Sequence, residues 1–136
     1  MMLGLLLARA GVPALVLEKH ADFLRDFRGD TIHPSTLEIL HELGYAERLL
    51  RLPHQKAPRI KAQFGDLAVT VADFSTLSVR YPFIALMPQW DFLNFLAEEG
   101  NRFSGFRFLQ TAKVTDLVTE AGRVVGVTAE TPEGPL

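Results

Sequence analysis

Glu18 is the first residue whose surroundings suggest a chemical use. It closes the short apolar run Ala14-Leu-Val-Leu17, which follows an apolar helix, Met2 to Ala10, and the turn Gly11-Val-Pro13. In dinucleotide-binding βαβ units, a carboxylate ending such a strand accepts hydrogen bonds from ribose hydroxyls. Without that context Glu18 is an ordinary acid at a strand end. Arg28 stands beside Gly29 and Asp30. A guanidinium next to a residue lacking a side chain suits a phosphate through paired hydrogen bonds, and equally suits solvent in a loop. Gln89 opens a helix after Pro88, where exposed amides favour phosphate, or it caps its own helix.

Other chemistries find little support. The histidines His20, His33, His41 and His54 form no H-x-x-x-H pair and have no acid at ligand spacing, so no metal site is expected. There is no Cys, which removes thiol nucleophiles, disulfides and thiolate metal centres. No G-x-S-x-G elbow occurs. A net charge of -2 gives no basic face for nucleic acid. Arg9 interrupts the N-terminal apolar run, so neither a secretion signal nor a membrane span is expected, and a cytoplasmic location is the default. Trp90, Phe92 and Phe95 read as core; Asp91, Glu98 and Glu99 read as a solvated helix face. No residue is read as catalytic.

The elements that must position these groups follow from pattern and punctuation. With 48% hydrophobic and 22% charged residues, the 136-residue chain is globular and long enough for one core. Gly11 suits a helix end needing positive φ, and Pro13 prevents the helix from resuming. The strand Ala14 to Glu18 is apolar on both faces, as in a buried parallel strand. Arg28 to Thr31 reads as loop. Ser35 with Glu38 forms a capping box for a helix ending at Gly44, and a second helix, Ala46 to Leu52, stops at Pro53. His54 to Arg59 reads as a polar linker. Arg59 to Phe64 and Leu67 to Val71 form a hairpin across Gly65-Asp66, and Asp73 to Pro82 reads as loop. Phe83 to Leu86 is extended, and Pro88 takes the N1 position of a helix from Gln89 to Glu99. Phe106 to Leu109, Lys113 to Glu120 and Arg123 to Thr131 are strands, the last two paired across Ala121-Gly122. Pro132 to Leu136 is a polar turn with no closing element.

In that order, Leu3-Gly-Leu-Leu-Leu-Ala-Arg-Ala-Gly11, the strand ending Glu18-Lys19, Arg28-Gly-Asp30 and Pro88-Gln-Trp-Asp-Phe-Leu93 resemble the FAD-dependent aromatic hydroxylases. These are single-component flavin monooxygenases of the p-hydroxybenzoate and phenol hydroxylase type. The resemblance covers nearly the whole chain. It implies an α/β fold: a partial Rossmann-like FAD-binding domain of the glutathione-reductase type over 1–136, with an inserted β-hairpin at 59–72 as an excursion towards the substrate domain. It implies that Glu18 binds the adenosine ribose and Lys19 lies beside the adenosine. Arg28 and Gln89 would reach the pyrophosphate and ribityl region, and the backbone at Val114 would meet the adenine. It further implies FAD as cofactor, NAD(P)H and O2 as co-substrates, and a small aromatic substrate.

The departures define the remaining expectations. In the fingerprint the acid lies about 20 residues beyond a G-x-G-x-x-G turn, and no such turn occurs here. The family's later Asp-Gly and Gly-Asp segments are also missing. The chain therefore reads as a fragment or a gene model with a wrongly placed start, lacking the first strand of its sheet. Such a piece is expected to be inactive, to bind FAD weakly or not at all, and to self-associate through an exposed sheet edge. The alternatives are an NAD(P)-binding oxidoreductase without flavin, or a non-enzymatic interaction fragment docking on a partner.

Overall fold

The computed structural model describes residues 1–24 and 29–136. In chain order the elements are α1 (Met2–Arg9), β1 (Ala14–Leu17), β2 (Thr31–Ile32), α2 (Pro34–Glu42), α3 (Ala46–Leu49), β3 (Gln55–Ala57), β4 (Arg59–Phe64) and β5 (Leu67–Asp73). A short 3-10 turn, Phe74–Thr76, leads to β6 (Ile84–Leu86), α4 (Gln89–Gly100), β7 (Phe106–Leu109), β8 (Lys113–Glu120), β9 (Arg123–Thr131) and β10 (Gly134–Pro135). The chain divides into one unit of Met1–Leu24 with Leu93–Leu136, and a second of Arg25–Phe92.

In the first unit, α1 ends as its sequence dictates. Gly11 sits at φ +78°; its N–H donates to the Ala8 carbonyl and the Val12 N–H to the Leu7 carbonyl. That pair of bonds is the Schellman motif, which satisfies carbonyls the helix leaves open. β1 then pairs in parallel with β7, Ala14 opposite Phe106 through Leu17 opposite Leu109. The expectation of a strand buried on both faces is corrected: Leu15 is 45% exposed. Only β7 pairs with β1 among the described residues, and α1 packs close to Val16, on the opposite face from Leu15. β8 and β9 form a hairpin whose turn residues Ala121 and Gly122 both have positive φ, as a type I′ turn requires.

The last residues also differ from expectation. Residues 132–136 turn back and add β10 to β9, with Leu136 and Ala129 exchanging both backbone bonds. Pro135 is tolerated because β10 lies at the sheet edge, where a missing donor costs nothing. Glu99, expected on a solvated face, is buried. It falls on the same helical stripe as Phe95 and Leu96, and Arg102, one turn on, brings its Nε within 3.3 Å of the carboxylate.

The second unit packs Leu37, Leu40, Leu49, Ile84, Ala85 and Met87 into its core. α2 ends in the same motif as α1: Gly44 is at φ +81°, with bonds from Gly44 to His41 and from Tyr45 to Leu40. Its start departs from the expected capping box. His33 is the cap residue without a side-chain bond, Pro34 occupies the first turn, and Ser35 lies inside the helix. Pro34 lacks one of the N–H groups a cap would satisfy, and the Glu38 carboxylate accepts instead from the Arg80 backbone N–H. α3 is shorter than expected, ending at Leu49.

Two segments expected to be loop or linker are strands. Thr31–Ile32 and Gln55–Ala57 both pair antiparallel with β6, making a sheet in the order β2-β6-β3. The hairpin β4–β5 forms as expected, with Phe64 opposite Leu67. At its open end the Arg59 guanidinium lies 2.8 Å from Asp73. The Ser75 hydroxyl, followed by Arg59, holds the Asp73 carboxyl below the ordinary 3.8.

Candidate functional site

The residues expected to meet a ribose and an adenine gather in the first unit. The Glu18 N–H donates to the Leu109 carbonyl at 2.9 Å, continuing the β1–β7 ladder past the end of the strand. The Glu18 carbonyl then accepts from Ala112 N–H at 2.9 Å, and the His20 carbonyl from Thr111 N–H at 2.9 Å. These bonds fix the 18–20 segment against the link between β7 and β8. The Glu18 carboxylate is held as well, because one oxygen accepts from the His20 backbone N–H at 2.9 Å. Its side chain is thereby presented at the carboxyl end of β1, half-buried, with Lys19 exposed beside it.

Val114 opens the same neighbourhood. It lies in β8 and pairs with Ala129 of β9, and β8 is the edge strand of the β10-β9-β8 sheet. One side of its backbone therefore carries no strand among the described residues, which leaves main-chain groups for a planar ring to meet. The structure thus brings Glu18, Lys19 and the start of β8 together.

Gln89 belongs to the second unit. It is half-buried and lines a cavity of about 120 Å³ with Gly29, Thr31, Thr36 and Phe92. Its backbone amide is engaged: Asp30 Oδ1 accepts from Gln89 N–H at 3.2 Å. The Asp30 carbonyl also accepts from Met87 N–H at 3.0 Å. Asp30 thus caps α4 from a position 59 residues upstream. Pro88, expected at N1, is the residue before the helix, and its carbonyl accepts from Asp91 and Phe92. A phosphate and this carboxylate would compete for one amide and repel each other. The helix start is therefore not a simple anion site. Arg28, expected to reach a phosphate, lies outside the described residues.

Sequence reasoning missed the Asp30 cap. Asp is a favoured capping residue, but the helix it caps is remote in sequence, so no local spacing reveals it. Replacing Asp30 with alanine is expected to cost about 1 kcal/mol. Hydrogen exchange should accelerate at Gln89, while Asp30→Asn, which keeps an acceptor, should retain most of the protection. Unchanged exchange at Gln89 in Asp30→Ala would show that the carboxylate does not cap α4.

A family model described as "FAD binding domain" matches residues 1–134. The 6-methylpretetramide 4-monooxygenase of Streptomyces rimosus is 27% identical over 125 residues, covering 92% of this chain and 30% of that enzyme. Among solved structures, OxyS anhydrotetracycline hydroxylase from Streptomyces rimosus superposes with a TM-score of 0.79 at 29% identity, over 99% of this chain and 26% of the other. The p-nitrophenol 4-monooxygenase PnpA of Pseudomonas putida DLL-E4 gives a TM-score of 0.81 at 22% identity, over 98% of this chain and 34% of its own; it is similar in fold. The chain therefore spans about a third or less of each of these relatives.

Proposed function

The chain belongs to the FAD binding domain family, and we propose that it forms the FAD-binding portion of a flavin-dependent monooxygenase that hydroxylates an aromatic substrate. NAD(P)H and O2 would be the co-substrates, and the cytoplasm the location. The observation that carries the reading is the Glu18 carboxylate, clasped by His20 N–H at the carboxyl end of β1. Among the described residues no helix is long and apolar enough to cross a membrane.

The described residues fit the cofactor in part. Glu18 suits the ribose hydroxyls, since an ionised carboxylate accepts from both. Lys19 and the edge of β8 at Val114 would flank the adenosine. Gln89 would act through its side chain, because its amide already bonds Asp30. When bound, FAD supplies the redox chemistry; the protein binds and orients it. The chain's own part is to hold the ribose through Glu18 and to keep Gln89 in register through Asp30. The hairpin β4–β5 would be its excursion towards a substrate domain. The match to an FAD binding domain favours flavin over the nicotinamide-only alternative.

The chain as it stands has no G-x-G-x-x-G backbone cradle, and β1 pairs only with β7 among the described residues, which leaves one edge of β1 open with Leu15 exposed on its face. We therefore expect weak FAD binding and self-association through that edge. Titrating FAD into the chain in the analytical ultracentrifuge, with detection at the flavin absorbance, reads both. Expected are a minor flavin fraction at micromolar protein and sedimentation that rises with concentration. Glu18→Ala should weaken the residual binding by roughly tenfold, the worth of one charge-assisted hydrogen bond. Tight stoichiometric flavin binding would overturn the expected weakness, and binding indifferent to Glu18 would overturn the ribose role.

A further inference from the structure

β8 is the edge strand of the β10-β9-β8 sheet, and every one of its residues is exposed. Among the described residues no strand pairs with its outer side. A row of unpaired main-chain groups of this length is a template for another strand. The charges along β8 decide which strand fits.

The register against β9 sorts the side chains into two faces. Lys113 stands opposite Glu130, Asp116 opposite Thr128, Val118 opposite Gly126 and Glu120 opposite Arg123. All of these share one face, because Thr115 is an extra residue that shifts the alternation between Val114 and Asp116. The other face carries Val114, Leu117 and Thr119, with Ala129 opposite Val114 and Val127 opposite Leu117. Leu117 is 58% exposed and Val127 40%.

Lay two copies of β8 antiparallel with Leu117 on a two-fold axis, each passing over its extra Thr115. Leu117 then meets Leu117 of the second copy, Asp116 meets Val118, Val114 meets Thr119 and Lys113 meets Glu120. Every facing pair shares a face, as a sheet requires. At each end the row across the seam runs Glu130, Lys113, then Glu120 and Arg123 of the second copy, so the charges alternate throughout. At the centre, Leu117 and Val127 meet their counterparts and cover apolar surface. One group works against the pairing. Asp116 lies beside the axis, its carboxylate accepts from the Leu117 N–H at 2.7 Å, and pairing brings two such charges together.

We propose that β8 pairs in this register with β8 of a second copy of this chain, joining two three-stranded sheets into one. The pairing needs no cofactor. It covers the main chain at Val114, so a second copy and an adenine ring at that position exclude one another.

The test is charge reversal in the full chain, read by sedimentation without flavin. The wild type should show a monomer–dimer equilibrium. Lys113→Glu and Glu120→Lys each place like charges opposite one another at both ends of the seam, so each alone should weaken association about tenfold. Mixing the two variants restores opposite charges at both ends, and the mixed dimer should form about as well as the wild type. Asp116→Ala, which removes the opposing charge and frees the Leu117 N–H, should tighten association severalfold. Crosslinking reads the register, since the chain has no Cys of its own. Under mild oxidation Leu117→Cys, on the axis, should link two copies about tenfold faster than Val124→Cys, which is exposed but away from the axis. A wild type that stays monomeric at every soluble concentration, no recovery on mixing, or equal crosslinking rates would each overturn the proposal. Association indifferent to both charge reversals would also overturn it, and would leave the β1 edge as the seam.

Discussion

Replacing Phe106 with alanine is expected to destabilise the chain by about 3–5 kcal/mol, the cost of emptying a buried aromatic site. The ring is 6% exposed and sits at the start of β7, opposite Ala14 of β1. Two glycines make room for it. A Cβ at Gly100 of α4 would lie 2.6 Å from the ring, and one at Gly4 of α1 would lie 3.1 Å from it and 2.4 Å from Val16 Cγ2. The ring therefore joins two helices to the parallel pair, and losing it leaves both helix faces without their partner.

The same geometry predicts a coupling. Gly100→Ala should cost about 1–3 kcal/mol in the wild-type background, because the new methyl overlaps a buried ring, which must shift to admit it. In the Phe106→Ala background the overlap is gone, and the ordinary preference of a helix for alanine, up to about 1 kcal/mol, should show instead. A double-mutant cycle by urea denaturation measures the difference. Strict additivity would mean that something other than the ring requires glycine at position 100.

The features that were legible in the sequence are those encoded by neighbours. Gly11 and Gly44 mark helix ends because only a residue at ease with positive φ closes a Schellman motif cheaply. The hairpins at Gly65-Asp66 and Ala121-Gly122 were legible because turn and flanking strands lie together in the chain. β2 and β3 were not. They are very short and pair with β6 through main-chain bonds, so their side chains carry little pattern. The capping box at Ser35 was locally plausible and lost to Pro34, which begins the helix two residues earlier, with His33 as the cap.

The candidate site divides the same way. Glu18 could be read because helix, glycine turn and strand stand beside it. The roles of Asp30 and His54 could not. Asp30 acts on a helix far along the chain. His54 gains its defined tautomer from the Leu52 carbonyl, which is available only once the preceding turn has formed.

That dependence gives the second large effect. Leu49 is fully buried in the second unit, at the end of α3. Its carbonyl accepts from Leu52 N–H at 3.0 Å, and the Leu52 carbonyl in turn holds His54 Nδ1 at 2.8 Å. Leu49→Ala removes the apolar anchor beneath this short chain of bonds. It should cost about 2–5 kcal/mol in urea denaturation, whereas Leu49→Met, which conserves volume, should cost under about 1.5 kcal/mol. The imidazole reports the local consequence. In the wild type, nitrogen-15 NMR should show the proton on Nδ1; with the turn loosened, the ring should drift towards the mixture of tautomers found in water. If Leu49→Ala lowers global stability while His54 keeps its Nδ1 proton, the pin depends on the turn's own backbone and not on the core beneath it. If both fall together, the core of the second unit sets the hydrogen-bonding character of the His54 ring.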